Sequence, residues 1–100
     1  MDKTKKYFKQ AEKIIENNKR YIIDLSKINE LKEGKTDVYL STIIPYTRQY
    51  LNEIFTGKRC SDKKTLSKIL KPMIAESVKL KDKYEKDGLE KIINYFFKEI

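Results

Sequence analysis

An all-α fold, a compact bundle of about five to six short helices, is predicted by three features of this 100-residue chain. Apolar residues recur at spacings of three and four over most of its length, the period of a helix with one buried face. Only three Gly and two Pro interrupt that pattern, too few for the frequent turns of an all-β chain. Apolar residues make up 39% and aromatics 11%, which supports one core and argues against disorder. The length suits a single domain spanning residues 1–100.

Each element follows from local signals. Tyr7, Phe8, Ala11, Ile14 and Ile15, then Tyr21, Ile22, Leu25, Ile28 and Leu31, keep the helical spacing. Residues 1–35 are therefore expected to form an N-terminal helical segment, either one bent helix or two separated at Asn17-Asn18. Tyr21-Ile22-Ile23 has strand propensity, but its flanks favour helix. Gly34 is placed as the stop, with Lys32 in the last turn. Thr36 caps a short helix that must end at about Ile44, because Pro45 has no N–H to donate and pushes the preceding residue out of helical dihedrals. Thr47 caps the next helix, which runs to about Thr56 before Gly57 stops it. Ser61 or Asp62 opens another, reaching Leu70. Pro72 is assigned to the first turn of a further helix that ends near Lys86. Asp87-Gly88 is a turn, and residues 89–100 form a last amphipathic helix.

Several function classes are excluded at this stage. No segment approaches 18 apolar residues in a row, so no membrane span or membrane partner is expected. The start of the chain has no apolar run after its charges, which predicts no secretory signal. Cys60 is the single cysteine and cannot form an internal disulfide, which favours a reducing, cytoplasmic location. With no His the usual general base is missing, and one Cys without His makes neither a catalytic dyad nor a zinc site. There is no Gly-rich phosphate loop. No enzyme activity, cofactor, metal or small-molecule substrate is expected.

The charge distribution is more informative. The net charge is +8, a reason to meet phosphate or another anionic surface. Ten Lys/Arg face six Asp/Glu in residues 1–35, seven face three in 36–71, and six face six in 72–100. An A+T-rich genome would also enrich Lys, so charge alone decides nothing. Its pattern says more. No Lys occurs between Lys35 and Lys58, and then Lys58, Arg59, Lys63 and Lys64 follow in quick succession.

Wound at about 100° per residue, the helix after Thr47 places Arg48, Gln49, Asn52, Glu53 and Thr56 on one arc. Tyr50, Leu51, Ile54 and Phe55 take the opposite one. The polar arc holds the side chains whose directional donors and acceptors read base edges, Arg toward guanine, Asn or Gln toward adenine and Glu toward cytosine. Lys is a flexible point charge better suited to phosphate. Thr47, Arg48, Gln49, Asn52, Glu53 and Thr56 are thus candidate base readers in double-stranded DNA. Lys58, Arg59, Lys63 and Lys64 are candidate phosphate contacts. An amphipathic surface helix and a solvated basic loop are the plain alternatives. Lys3, Lys5, Lys6 and Lys9 could act as an arm on DNA or simply be solvated.

Residues 36–71, with two short helices, a tight turn and this polar face, have the form of a helix-turn-helix. "TDVYLSTIIPYTRQYLNEIFTGKRCSDKKTLSKIL" resembles the lambda-repressor-like (Cro/XRE-type) helix-turn-helix family. Leu40, Ser41, Ile44 and Tyr46 match its first helix and turn. Thr47, Leu51 and Ile54 match its recognition helix, Gly57-Lys58-Arg59 the segment after it, and Ser61, Thr65 and Ile69 the next helix. The chain departs from the pattern at Pro45, where the family usually has Gly, and at Asp37, where a phosphate-binding Gln is common. It also lacks the usual Arg of the first helix, and about 20 extra residues precede that helix.

The resemblance implies a sequence-specific DNA-binding protein, a transcriptional regulator of the phage or plasmid type. Two alternatives stay open: a DNA-processing accessory of a mobile element in conjugation or excision, and a helical protein-interaction module such as an antitoxin or inhibitor. A homodimer spanning two half-sites is one expectation, the alternative being that the C-terminal apolar stripe packs on the chain's own core. The dimer contact is sought in residues 72–100, where Leu89, Ile92, Ile93, Phe96 and Ile100 share one stripe.

Overall fold

Tyr21–Ile23 forms a strand, β1, and pairs antiparallel with Phe97–Glu99, β2, in the register Tyr21↔Glu99, Ile22↔Lys98 and Ile23↔Phe97. This overturns the helical expectation at both sites. The computed structural model describes residues 19–100. The part of the N-terminal helical segment carrying Tyr7, Phe8, Ala11, Ile14 and Ile15 lies outside the described residues, as do Lys3, Lys5, Lys6 and Lys9.

The strand has a physical cause. Tyr21 and Ile23 are buried and Ile22 is half-buried between them, the alternation of a strand with one face on the core. On its other side β1 meets the extended backbone at Ser61, with Tyr21 N donating to Ser61 O at 2.8 Å and Ser61 N to Tyr21 O at 2.9 Å. Partners that complete the ladder lie far along the chain, so flanking residues could not reveal them.

Six α-helices follow among the described residues, and the predicted helical class is the observed one. Asp24 caps a short 3-10 turn, Leu25–Lys27, that leads into α1, Ile28–Lys32. This helix stops one residue early, because Glu33 already takes a left-handed φ of 51° ahead of Gly34. Helix α2, Asp37–Ile43, is capped by Thr36, whose Oγ1 accepts from Tyr39 N at 3.1 Å. Ile44 is extended before Pro45, at φ −106° and ψ 137°, as a residue preceding proline should be. Helix α3 is Arg48–Phe55.

Helix α4 runs from Lys63 to Ala75, with Pro72 inside it. The expected break at Pro72 does not occur. Leu66, Ile69, Leu70, Met73 and Ile74 form one buried stripe that continues past the proline. Burying Met73 and Ile74 outweighs the roughly 3 kcal/mol that an interior proline costs. The break comes at Ser77, whose Oγ accepts from Leu80 N at 3.1 Å and caps α5, Val78–Asp87. Gly88, at φ 85°, joins it to α6, Leu89–Phe96.

The α6 stripe faces inward. Ile92, Ile93 and Phe96 are at most 2% exposed, and Phe97 continues the same buried surface from β2. Ile100 has left the helix and is exposed. The stripe assigned to a dimer contact is therefore part of the monomer's own core, which joins Tyr21 and Ile23 to side chains from all six helices. Among the described residues no helix is long and apolar enough to cross a membrane.

One pH response follows from the caps. Hydrogen bonds from the Thr65 side chain and amide hold the Asp62 carboxyl below its ordinary 3.8, with Thr65 N at 2.8 Å from Oδ1. A lowered pKa means that the cap stabilises the fold above 3.8 and stops doing so as pH falls through the folded value. Thermal melts should thus lose stability below about pH 4. Asp62→Asn, an equally good cap that does not titrate in this range, should reduce that loss. An unchanged acid limb in Asp62→Asn would contradict the assignment.

Candidate nucleic-acid interface

Two backbone devices fix the ends of α3. At its start Thr47 Oγ1 accepts from Tyr50 N at 3.1 Å, so the Thr47 hydroxyl serves as the cap while its own O–H remains a donor. At its end Gly57 takes φ 77°. Gly57 N donates to Ile54 O at 3.3 Å and Lys58 N to Glu53 O at 2.9 Å, a Schellman motif that needs the left-handed glycine. The motif turns the chain sharply, so the basic segment begins directly after the helix. The Ser61 bridge to β1 then pins that segment from below. Ser61 is buried, with its Oγ 3.3 Å from the Tyr50 hydroxyl.

The two predicted arcs of α3 are observed. Leu51, Ile54 and Phe55 are buried and Tyr50 is half-buried, whereas Arg48, Gln49, Asn52 and Thr56 are exposed. Helix α2 packs against α3, and an open groove between their first turns is lined by Asp37, Val38, Arg48, Gln49 and Asn52. Val38 is 55% exposed there, an apolar contact of the kind that suits a thymine methyl.

The polar arc is less free than its spacing implies. Arg48 and Gln49 have no side-chain hydrogen bond or ion pair to another described residue. Asn52 Nδ2 donates to Asp37 Oδ2 at 3.0 Å. Asp37 Oδ1 in turn accepts from Lys32 Nζ at 2.7 Å. Burial raises the Asp37 pKa, but the hydrogen bonds of Lys32 and Asn52, with the charges of Lys32 and Arg48, outweigh it and hold the carboxyl below the usual range. Glu53 is bound by Arg59, whose Nε donates to Oε2 at 2.7 Å. Thr56 Oγ1 donates back to Asn52 O at 2.7 Å, which takes its proton away from solvent.

No protein-family model, curated protein or solved structure matches the chain. The helix-turn-helix reading therefore rests on these residues and their arrangement.

The four candidate phosphate cations divide into two pairs. Lys58 and Lys64 are exposed and make no ion pair among the described residues. Arg59 is held by Glu53 and lies 5.0 Å from the Tyr50 ring centroid, with Tyr46 stacked on Tyr50 at 4.9 Å. Lys63 Nζ donates to Glu90 Oε1 at 2.5 Å, and both groups are largely exposed. A pair this exposed contributes little to stability and can exchange its partner for a phosphate.

Sequence reasoning missed Lys32 and the Tyr46–Tyr50–Arg59 stack as parts of this surface. Lys32 is legible only in retrospect, as a lone cation in the last turn of α1, five residues ahead of Asp37. Among the described residues no group of three or more His, Cys, Asp or Glu could hold a metal ion.

Proposed function

We propose that this protein binds double-stranded DNA with sequence preference, placing α3 in the major groove. The observation that carries the reading is a helix face on which Arg48 and Gln49 stand exposed, with no side-chain partner among the described residues, followed at once by Lys58 and Lys64. The two kinds of side chain are thereby sorted in space: directional hydrogen-bonding groups lie along the helix, and point charges lie at its end. Base edges are read by the first kind and phosphates by the second. A helix that docks on protein would more often put aromatic or aliphatic anchors on this arc.

Arg48 and Gln49 are the principal readers, and Asn52 reads from a tethered position. Glu53 and Thr56, engaged within the protein, shape the surface. Lys58 and Lys64 are the primary phosphate contacts, with Arg59 and Lys63 joining once their carboxylate partners release them. DNA binding is what the site supports. A role as a transcriptional regulator of the phage or plasmid type rests on the resemblance to the lambda-repressor-like family, and a conjugation or excision accessory would use the same surface.

The test is fluorescence anisotropy on labelled duplexes at increasing salt. Each neutralised phosphate contributes a slope of about −0.9 to log affinity against log salt. Two contacting cations should thus give about −1.8, and four about −3.6. Binding that is absent at low salt, or indifferent to salt, would remove the reading.

A further inference from the structure

Asp37 stands at the first position of α2 and joins three elements through one carboxylate. One oxygen is held by Lys32 from the end of α1 and the other by Asn52 from the middle of α3. An Asn amide has two N–H donors and one carbonyl acceptor. Reading adenine uses the carbonyl and one N–H. The second N–H is not needed for that, and an amide left alone can turn over and exchange donor for acceptor. Asp37 occupies that second N–H. A carboxylate can only accept, so the turned amide would set its carbonyl oxygen against a negative charge and is strongly disfavoured. Asn52 Oδ1 has no partner among the described residues and remains available to a base.

We propose that Asp37 is the positioning residue for base reading by Asn52, fixing the amide in the orientation that selects adenine. The inference rests on the DNA-binding reading above and names the base that one residue of that surface recognises. Lys32 has the supporting role. Half-buried, with its ammonium 5.5 Å from the Phe55 ring centroid, it holds the carboxylate in place and keeps it ionised.

The arrangement has a recognisable signature, because Asp37 brings a negative charge to a surface facing phosphates. Removing that charge should strengthen binding to any duplex while weakening discrimination at one base pair. A purely structural role would lower both.

The experiment begins by selecting the preferred site of the wild-type chain from randomised duplexes. Affinities are then measured on that site, on its single-base-pair variants and on an unrelated duplex. Asp37→Ala should bind the unrelated duplex more tightly than wild type and lose roughly tenfold discrimination at one A·T pair. Asn52→Ala should lose discrimination at the same pair, and the double variant should lose no more than either single one. Asp37→Asn leaves its oxygen to Lys32 and turns an NH2 toward Asn52, so the amide is no longer held in one orientation and the preference should fall as in Asp37→Ala. Asp37→Ser carries the same expectations as Ala should that variant fold poorly.

An Asp37→Ala protein with wild-type discrimination would overturn the proposal, as would losses that add in the double variant. Duplex binding without base preference would overturn it and leave only the duplex-binding part of the reading above, without its sequence preference. A wild-type chain that binds no duplex would remove both.

Discussion

Phe96→Ala is expected to cost about 3–5 kcal/mol of folding stability, the range for a large aromatic removed from a filled core. Phe96 has no exposed surface. Its ring makes an edge contact with Tyr95 at 4.8 Å between centroids, and its carbonyl accepts from Asp24 N at 2.8 Å. That backbone bond survives the substitution, so the expected loss is that of the buried ring alone. A domain of this size has a total stability of about 5–15 kcal/mol, so this loss is a large fraction of it. Truncation after Asp87 removes Ile92, Ile93, Phe96 and the whole of β2, leaving β1 without its main partner. The truncated chain should show no cooperative thermal transition, as read by circular dichroism. A truncation that melts cooperatively near the wild-type temperature would mean that α6 is an appendage, and its stripe would again be free for a second copy of the chain.

What could be read locally was read correctly from the sequence. Thr36 and Thr47 cap helices because their side-chain oxygens satisfy amides three residues later, and of the two candidates Ser61 and Asp62 it is Asp62 that does the same. Pro45 and Gly57 punctuate α3 on either side for reasons contained in single residues. The two arcs of α3 follow from periodicity alone. Interactions decided over distance stayed hidden. Tyr21–Ile23 becomes a strand through a segment from the far end of the chain, and Pro72 stays helical because Met73 and Ile74 have a core to enter. At the site the residue types were legible and their pairings were not. Asn52 and Glu53 were singled out as readers on chemistry, but the partners that occupy them, Asp37 and Arg59, come from outside α3. A helical wheel treats every polar side chain on an arc as equally free.

Base and phosphate contacts should separate by mutation, and the freedom of each side chain sets the order of effects. Arg48→Ala and Gln49→Ala are each expected to cost about 1–3 kcal/mol on the preferred duplex and relax its sequence preference, since a bidentate contact to a base edge has that value. Neither removal disturbs the fold, because both side chains are exposed and hold no other described residue. Lys58→Ala and Lys64→Ala should instead weaken binding to all duplexes alike and shorten the salt slope by about one each. Arg59→Ala falls between these cases. Its guanidinium must leave Glu53 before it can meet a phosphate, so its loss should cost less than that of Lys58 despite the stronger donor set. Anisotropy titrations on preferred and unrelated duplexes at two salt concentrations separate the three behaviours. If Arg48→Ala or Gln49→Ala lost affinity evenly across unrelated duplexes, with a reduced salt slope, α3 would be a phosphate contact and not a reader.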